Sequence, residues 1–363
     1  MRLPPPVRAP LAGALAAGLA LPLTAATPAA AGPAAPARPA AVAASATVTG
    51  TVATGLASPW GLAILPDGSA VVSSRDEGTV WRVPRGGGEP RRVGSVPGSV
   101  HSGEGGLLGL ALHPGYPRQP WLYAYTTTAS DNRIVRMRFD GSSLGATQVV
   151  LRGIGKAGNH NGGRIAFGPD GMLYAGTGDA GAPSRSQNRS SLNGKILRMT
   201  PTGGVPAGNP FRGSLVWSLG HRNVQGLAWD SRGRMWASEF GQNTWDELNR
   251  IVKGKNYGWP RVEGRAGRRG FVDPVAQWSP AVASPSGITV AAGAVWVASL
   301  RGQRLWRVPV GGGTPRAYFA GTYGRLRAVA VAPGGRLFLM TNNTDGRIAP
   351  RSGDDRLLRV KVT

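Results

Sequence analysis

Self-similarity constrains this chain more than any other feature. One pattern recurs six times along its 363 residues. It opens with a small residue and a short apolar run, turns through Pro, Asp or Gly, and continues with a second apolar run. After a gap it closes on a third strand, often containing Arg-Val. The copies begin WGLAILPDGSAVV at Trp60, LGLALHPGYP at Leu108 and GRIAFGPDGMLYAG at Gly163. They continue with QGLAWDSRGRMWAS at Gln225, SGITVAAGAVWVAS at Ser286 and RAVAVAPGGRLFLM at Arg327. Apolar and polar residues alternate over short runs within each copy, which is the period of a strand. PDG, PGG and SRG are hairpin turns in which glycine supplies the positive φ.

A repeat of roughly 40 to 60 residues suits a four-stranded unit. One such sheet cannot bury both faces. Six arranged radially can, and closing the ring removes most exposed edges. The expectation is an all-β, six-bladed β-propeller of four-stranded antiparallel blades over residues 46–363. A parallel β-helix has shorter repeats, and an α/β fold needs amphipathic helices that are missing here. The segment ATVTGTVATGL, from Ala46, reads as a strand that completes the last blade and locks the ring. The longer gaps around the third and fourth copies read as loops on one face.

The N-terminus carries Arg2 and Arg8, then the apolar run LAGALAAGLALPLTAA from Leu11, then small residues at Ala29, Ala30 and Ala31. Residues 1–31 read as an export signal, with an apolar run short for a bilayer and broken by proline. The competing use of the same run is a retained anchor. Residues 32–45, rich in Ala and Pro, read as a linker. A secreted or periplasmic protein follows, with no membrane span once the signal is removed. The chain has no cysteine, which excludes thiolate nucleophiles, iron–sulfur clusters and Cys-ligated zinc. Its formal net charge is +24. Nucleic-acid binding is disfavoured, because the arginines are scattered through loops and do not alternate with aromatics. An anionic ligand held in one pocket suits them better.

Some motifs mislead. GSSLG from Gly141 spells a nucleophile elbow, but it sits in a polar hairpin and not at a strand-to-helix turn. With four histidines a multi-His metal site is disfavoured. His160 stands directly before the third copy and His221 directly before the fourth. The start of a blade lies on the central face of a propeller, so a histidine there can serve as a general base. It can equally be structural. Asp179, in TGDAG, lies just past a second strand, where it can support an imidazole or simply cap a turn. Arg222, Arg301, Arg325 and Arg327 come from three copies and can converge on the same face, where arginine forks bind carboxylates. SEFGQNTWDELNRIVKGKNYGWP, from Ser238, combines carboxylates, side-chain amides and a glycine loop, the oxygen-rich chemistry that Ca2+ prefers.

At these residues the chain resembles the glucose/sorbosone dehydrogenase family, soluble aldose sugar dehydrogenases that use pyrroloquinoline quinone. The resemblance runs from about Gly55 to Val362. It is carried in family order by EGGLLGLALHP, HNGGRIAFGPDG, GDAG, GHRNVQGLAWD, DELNRI with KNYGWP, SLRG and RLRAV. It implies a six-bladed propeller that oxidises the anomeric hydroxyl of an aldose to a lactone. His160 is then the general base, Asp179 its supporting carboxylate, and Arg222 the residue that polarises the quinone carbonyl. Glu104, Asn223, Arg301, Arg325 and Arg327 take the other cofactor contacts. The backbone carbonyls of Gly241 and Gln242 match ligands of a catalytic Ca2+, while Glu247 and Tyr257 match ligands of a second, structural Ca2+. The partners implied are an aldose and a small or protein electron acceptor, with the chain a monomer or homodimer.

The chain departs from the family at several points. Glu104 replaces a common Gln, and a carboxylate beside an anionic cofactor needs a proton or a partner. Gln242 replaces a frequent Pro, Ala328 a frequent Asp after the two arginines, and Arg301 an occasional Lys. Two other classes compete. A Ca2+-dependent propeller lactonase needs a central cage of Asp, Glu and Asn, and a non-catalytic propeller would only bind sugar or protein.

Overall fold

The computed structural model describes residues 44–363. Residues 1–31, read from the sequence as an export signal, and nearly all of the segment read as a linker lie outside the described residues. Six four-stranded antiparallel sheets follow one another along the chain. The innermost strands are Pro59–Ile64, Leu107–Leu112, Ile165–Phe167, Val224–Trp229, Pro285–Ala291 and Leu326–Val331. Each touches the next, and the last touches the first, so they form a closed inner ring. The copies read from the sequence are the six blades in order.

The strand Ala46–Ala53 pairs antiparallel with Leu357–Val362, the last strand of the chain, and forms the outer edge of blade 6. Its residues alternate in burial until Val52 and Ala53, which enter the core beside Leu357. The first and last strands thus close the ring by hydrogen bonds, as the sequence led us to expect.

The core is a series of apolar layers between neighbouring blades. Trp60, Leu108, Tyr125 and Ile165 belong to one such layer, and Trp236, Leu248, Ile288 and Val297 to another. At about 25 cal/mol per Å² of buried apolar surface these layers dominate the favourable side of folding. Helix is confined to two short 3-10 turns, Pro183–Ser186 and Pro333–Gly335, among the described residues. No described helix is long and apolar enough to cross a membrane.

One segment departs from the sequence expectation. The residues after Ile251 do not stay on one face. They begin at the far end of blade 4 and run up the seam to blade 3, where Tyr257 N–H donates to Leu219 O and Trp259 N–H to Gly220 O. This climb delivers Trp259 and Glu263 to the central face.

Candidate active site

Within a blade the second strand runs antiparallel to the innermost one, so the start of the first and the end of the second meet on one face. Six blades therefore gather twelve chain segments around one axis. They enclose a cavity of about 600 Å³ lined by Trp60, Arg75, Glu104, His160, Arg222, Arg301, Arg325, Arg327 and the segment Phe240–Gln242. That size suits a small ligand.

His160 is held from several sides. Its N–H donates to Glu104 Oε2 at 2.9 Å, and its carbonyl accepts Ala180 N–H at 3.1 Å. The backbone approaches so closely that a Cβ at Gly178 would lie 1.8 Å from the His160 carbonyl oxygen, which is why glycine stands there. The imidazole Nδ1 lies 2.8 Å from Asp179 Oδ1. Asp179 is fully buried and also accepts Gly181 N–H and, on Oδ2, Trp259 Nε1–H, both at 2.9 Å. Burial alone would raise its pKa. The hydrogen bond and charge of His160, with the Trp259 and Gly181 donors, outweigh burial and hold the carboxyl below its ordinary value. In the neutral imidazole an ionised Asp179 takes the Nδ1–H, so the lone pair is on Nε2, in a ring that lines the cavity.

Arg222 faces the same space. Its Nε and Nη2 donate to Gln242 Oε1 at 3.0 and 2.6 Å, and its guanidinium lies 5.4 Å from the centre of the Trp259 ring. Burial lowers its pKa, while Asp179, Glu263, Glu104 and Asp246 pull it back up. His221, by contrast, is structural. It is fully buried, bridges Ser218 and Glu239, and stacks on Tyr257 at 4.8 Å. Asn223 lies beneath the cavity and does not line it. Its Oδ1 accepts Gly162 N–H at 2.9 Å, and its buried Nδ2 has no partner.

Arg325 donates through Nε and Nη2 to Asp345 Oδ2 at 3.2 and 2.9 Å. Arg327 reaches Gln225 Oε1 at 2.9 Å and Ser286 Oγ at 3.4 Å, with Asp345 3.9 Å away. Asp345 thus supplies a counter-charge for both. Ala328 is buried against Gly287 in the inner ring. Arg301 is exposed on the rim. Glu104 has the partner its charge requires, because Arg347 Nη2 lies 3.5 Å from its Oε1.

The loop 241–245 turns its amides inward. The N–H groups of Gln242, Asn243, Thr244 and Trp245 all donate to Glu263 Oε1, at 2.7 to 3.2 Å. Gly241 N–H donates to Asp246 Oδ1 at 2.9 Å, and a Cβ at Gly241 would lie 1.8 Å from Trp245 O. The carbonyls of Gly241 and Gln242 have no hydrogen-bond partner among the described residues. Burial pushes Asp246 up to about 6 despite N–H donors from Ser284 and Gly241 and the charge of Arg222. Two free carbonyls and a carboxylate beside the cavity fit a hard cation.

Glu247 and Tyr257 stand apart from the main cavity. They line a smaller hollow with Glu239 and Glu263. Burial and the nearby Glu239 push Glu247 up to about 8, and Asn249 Nδ2 donates to both carboxylates at 2.9 Å. The Tyr257 hydroxyl is already used, accepting Val252 N–H and donating to Arg250 O. Its backbone carbonyl is the group left for a metal. Among the described residues no three His, Asp or Glu side chains are grouped to hold one metal.

Sequence reading missed Trp259, Glu263, Asp345, Gln225, Arg75 and the side chain of Gln242. A signal existed for some of them. In five of the six blades a residue at or shortly past the end of the second strand, Arg75, Asp179, Glu239, Arg301 or Asp345, returns to the central face. Trp259 and Glu263 had no such signal, because their place depends on the climbing segment.

Residues 56–350 match the profile of the family described as Glucose / Sorbosone dehydrogenase. The PQQ-bound form of aldose sugar dehydrogenase from Streptomyces coelicolor is 60% identical, superposes with a TM-score of 0.87, and the match covers 88% of this chain and 98% of that one. Quinoprotein glucose dehydrogenase B of Acinetobacter calcoaceticus is 32% identical over 67% of this chain and 59% of its own length. Aldose sugar dehydrogenase YliI of Escherichia coli K12 is 33% identical over 61% of this chain and 64% of its own length. The chain therefore spans about three fifths of each of these last two proteins.

Proposed function

The chain belongs to the glucose/sorbosone dehydrogenase family, and from that premise we propose that it oxidises the anomeric hydroxyl of aldose sugars with pyrroloquinoline quinone as cofactor and Ca2+ beside it. The observation that carries this reading is the His160–Asp179 pair facing a cavity rimmed by Arg222, Arg325 and Arg327. An anionic cofactor suits that cavity.

The family resemblance gives each site residue a role that the geometry supports. Arg325 and Arg327 neutralise cofactor carboxylates, with Asp345 fixing their direction. Arg301 adds charge at the rim. Glu104 acts through the His160 backbone and is itself neutralised by Arg347. The carbonyls of Gly241 and Gln242, with Asp246 adjacent, hold the Ca2+. Glu247 and the Tyr257 carbonyl hold a second, structural Ca2+, which relieves the repulsion between two buried carboxylates. Bound pyrroloquinoline quinone supplies the hydride-accepting carbonyl. His160 Nε2 takes the proton of the anomeric hydroxyl, and Asp179 stabilises the imidazolium that forms. Arg222, fixed by Gln242, places positive charge where negative charge develops.

The product is a lactone. A small or protein electron acceptor completes the cycle, outside the cytoplasm, with the chain acting as monomer or homodimer. The lactonase reading lacks support, because the cavity presents arginine and histidine where a cage of acids is needed. The test is dye-linked turnover of an aldose panel by apo-protein reconstituted with pyrroloquinoline quinone and Ca2+. Turnover of at least one aldose is expected, and inactivity across the panel refutes the reading.

A further inference from the structure

The inner ring has one register position that blade 3 fills differently from the rest. Just after the blade-leading residue stand Gly61, Gly109, Gly226, Gly287 and Ala328; in blade 3 the residue is Arg164. The small residues allow close packing of adjacent blades. In blades 1 and 4 a serine on the second strand closes the seam at this level. Ser73 Oγ donates to Leu108 O at 2.6 Å, and Ser238 Oγ to Ser286 O at 2.5 Å. Blade 3 has Gly176 in the serine's place, and Arg164 Nε donates to Gln225 O at 2.8 Å. A neutral hydroxyl does the same work elsewhere, so the seam does not explain a buried cation.

That cation is uncompensated. Arg164 is 7% exposed, and its Nη2 is enclosed without a partner. The other buried arginines around the axis are provided for. Arg75 pairs with Asp76, Arg325 and Arg327 with Asp345, and Arg222 with the Gln242 oxygen. Arg164 has one backbone carbonyl and the face of Trp60 at 4.3 Å, which Arg327 also approaches at 5.5 Å. Arg327 adds repulsion and no relief. Burial lowers the Arg164 pKa to about 9, which still leaves it protonated at neutral pH. A buried charge without a counter-ion is costly.

Space for a counter-ion exists beside it. Arg164 lines an axial cavity of about 310 Å³, walled by the innermost strands of all six blades. Most lining side chains are aliphatic or aromatic, with Leu62, Leu110, Phe167, Leu227, Ile288 and Val329 among them, and Arg164 is the one charged residue in the lining. These residues lie further along the inner strands than those of the active-site cavity, which Arg164 does not line. With Arg164 the one charged residue of the lining, a ligand of a single negative charge suffices.

We propose that the axial channel holds a small monovalent anion, a halide or a carboxylate of formate size, against the Arg164 guanidinium, at a site separate from the catalytic cavity. The direct test is anomalous scattering from crystals of the wild-type protein grown or soaked in bromide. A bromide peak against Arg164 in the axial channel is expected. Its companion is the thermal midpoint of the apo-protein at constant ionic strength, with chloride or formate exchanged for bulky morpholinoethanesulfonate. The midpoint should rise with the logarithm of small-anion concentration in the wild type. The rise should vanish in Arg164→Gln, whose amide can still donate to Gln225 O. Rescue by formate as well as chloride supports a general small-anion site, and rescue by chloride alone a halide site. No anomalous peak in the channel together with a midpoint indifferent to both anions overturns the proposal. Neither measurement depends on turnover, so failure here is distinguishable from failure of the dehydrogenase reading.

Discussion

Asp179 holds His160 through one oxygen and Trp259 through the other, and its charge fixes which imidazole nitrogen is free. Asp179→Asn keeps the shape and removes the charge. We expect kcat to fall by roughly 10²–10⁴ with cofactor affinity nearly unchanged, measured by steady-state kinetics beside a cofactor titration. Asp345 makes a second prediction, through Arg325 and Arg327, whose charges, with the Arg325 hydrogen bonds, offset burial and hold its pKa below the ordinary value. Its stabilising contribution is therefore complete above an unfolded pKa of about 4 and is lost as pH falls through the lower folded value. Asp345→Asn should cost about 3–5 kcal/mol at neutral pH, because two buried guanidinium groups lose their shared partner. It should also flatten the acid limb of a stability-versus-pH curve from denaturant melts. An unchanged acid limb would remove Asp345 from that role. At this scale the sequence exposed His160, Asp179 and the arginines, whose positions follow from blade register. It hid Asp345, because nothing local in TNNTDG distinguishes a counter-ion from a turn.

The short loop 241–245 depends on a residue far along the chain. Glu263 Oε1 collects four of its N–H groups. Glu263→Ala frees those amides, and the carbonyls of Gly241 and Gln242 lose their common orientation. We expect Ca2+ affinity, read by calorimetry, to drop on the order of 10–100-fold with the propeller intact. Wild-type affinity in this variant would show that the loop holds itself. The closing strand is the other element under test. Deleting residues 47–53 leaves the outer edge of Leu357–Val362 unpaired and uncovers the core layer around Leu357, so the thermal midpoint should fall and aggregation rise. A truncated chain as stable as the full one would mean that the ring closes without that strand. Strands were legible because the period of alternation is local. The climbing segment after Ile251 was not, because no periodicity marks it and its course is set by hydrogen bonds to blade 3.

Across the whole molecule the ring does the assembling. Its six equivalent sheets put the start of one strand and the end of the next on one face, so residues from Trp60 to Arg347 share a single cavity. The repeat count predicted that architecture without reference to any family. The chemistry needed more, because arginine is abundant throughout a chain of net charge +24 and only the folded ring shows which ones converge. The measurement that bears most directly on the proposed chemistry is an anaerobic single turnover, followed by the quinone absorbance of protein loaded with pyrroloquinoline quinone and Ca2+. Wild-type protein should bleach on addition of an aldose, and His160→Ala should bind the cofactor equally well yet keep its quinone spectrum. Bleaching at the wild-type rate in His160→Ala, or none in the wild type with any aldose, would contradict the mechanism.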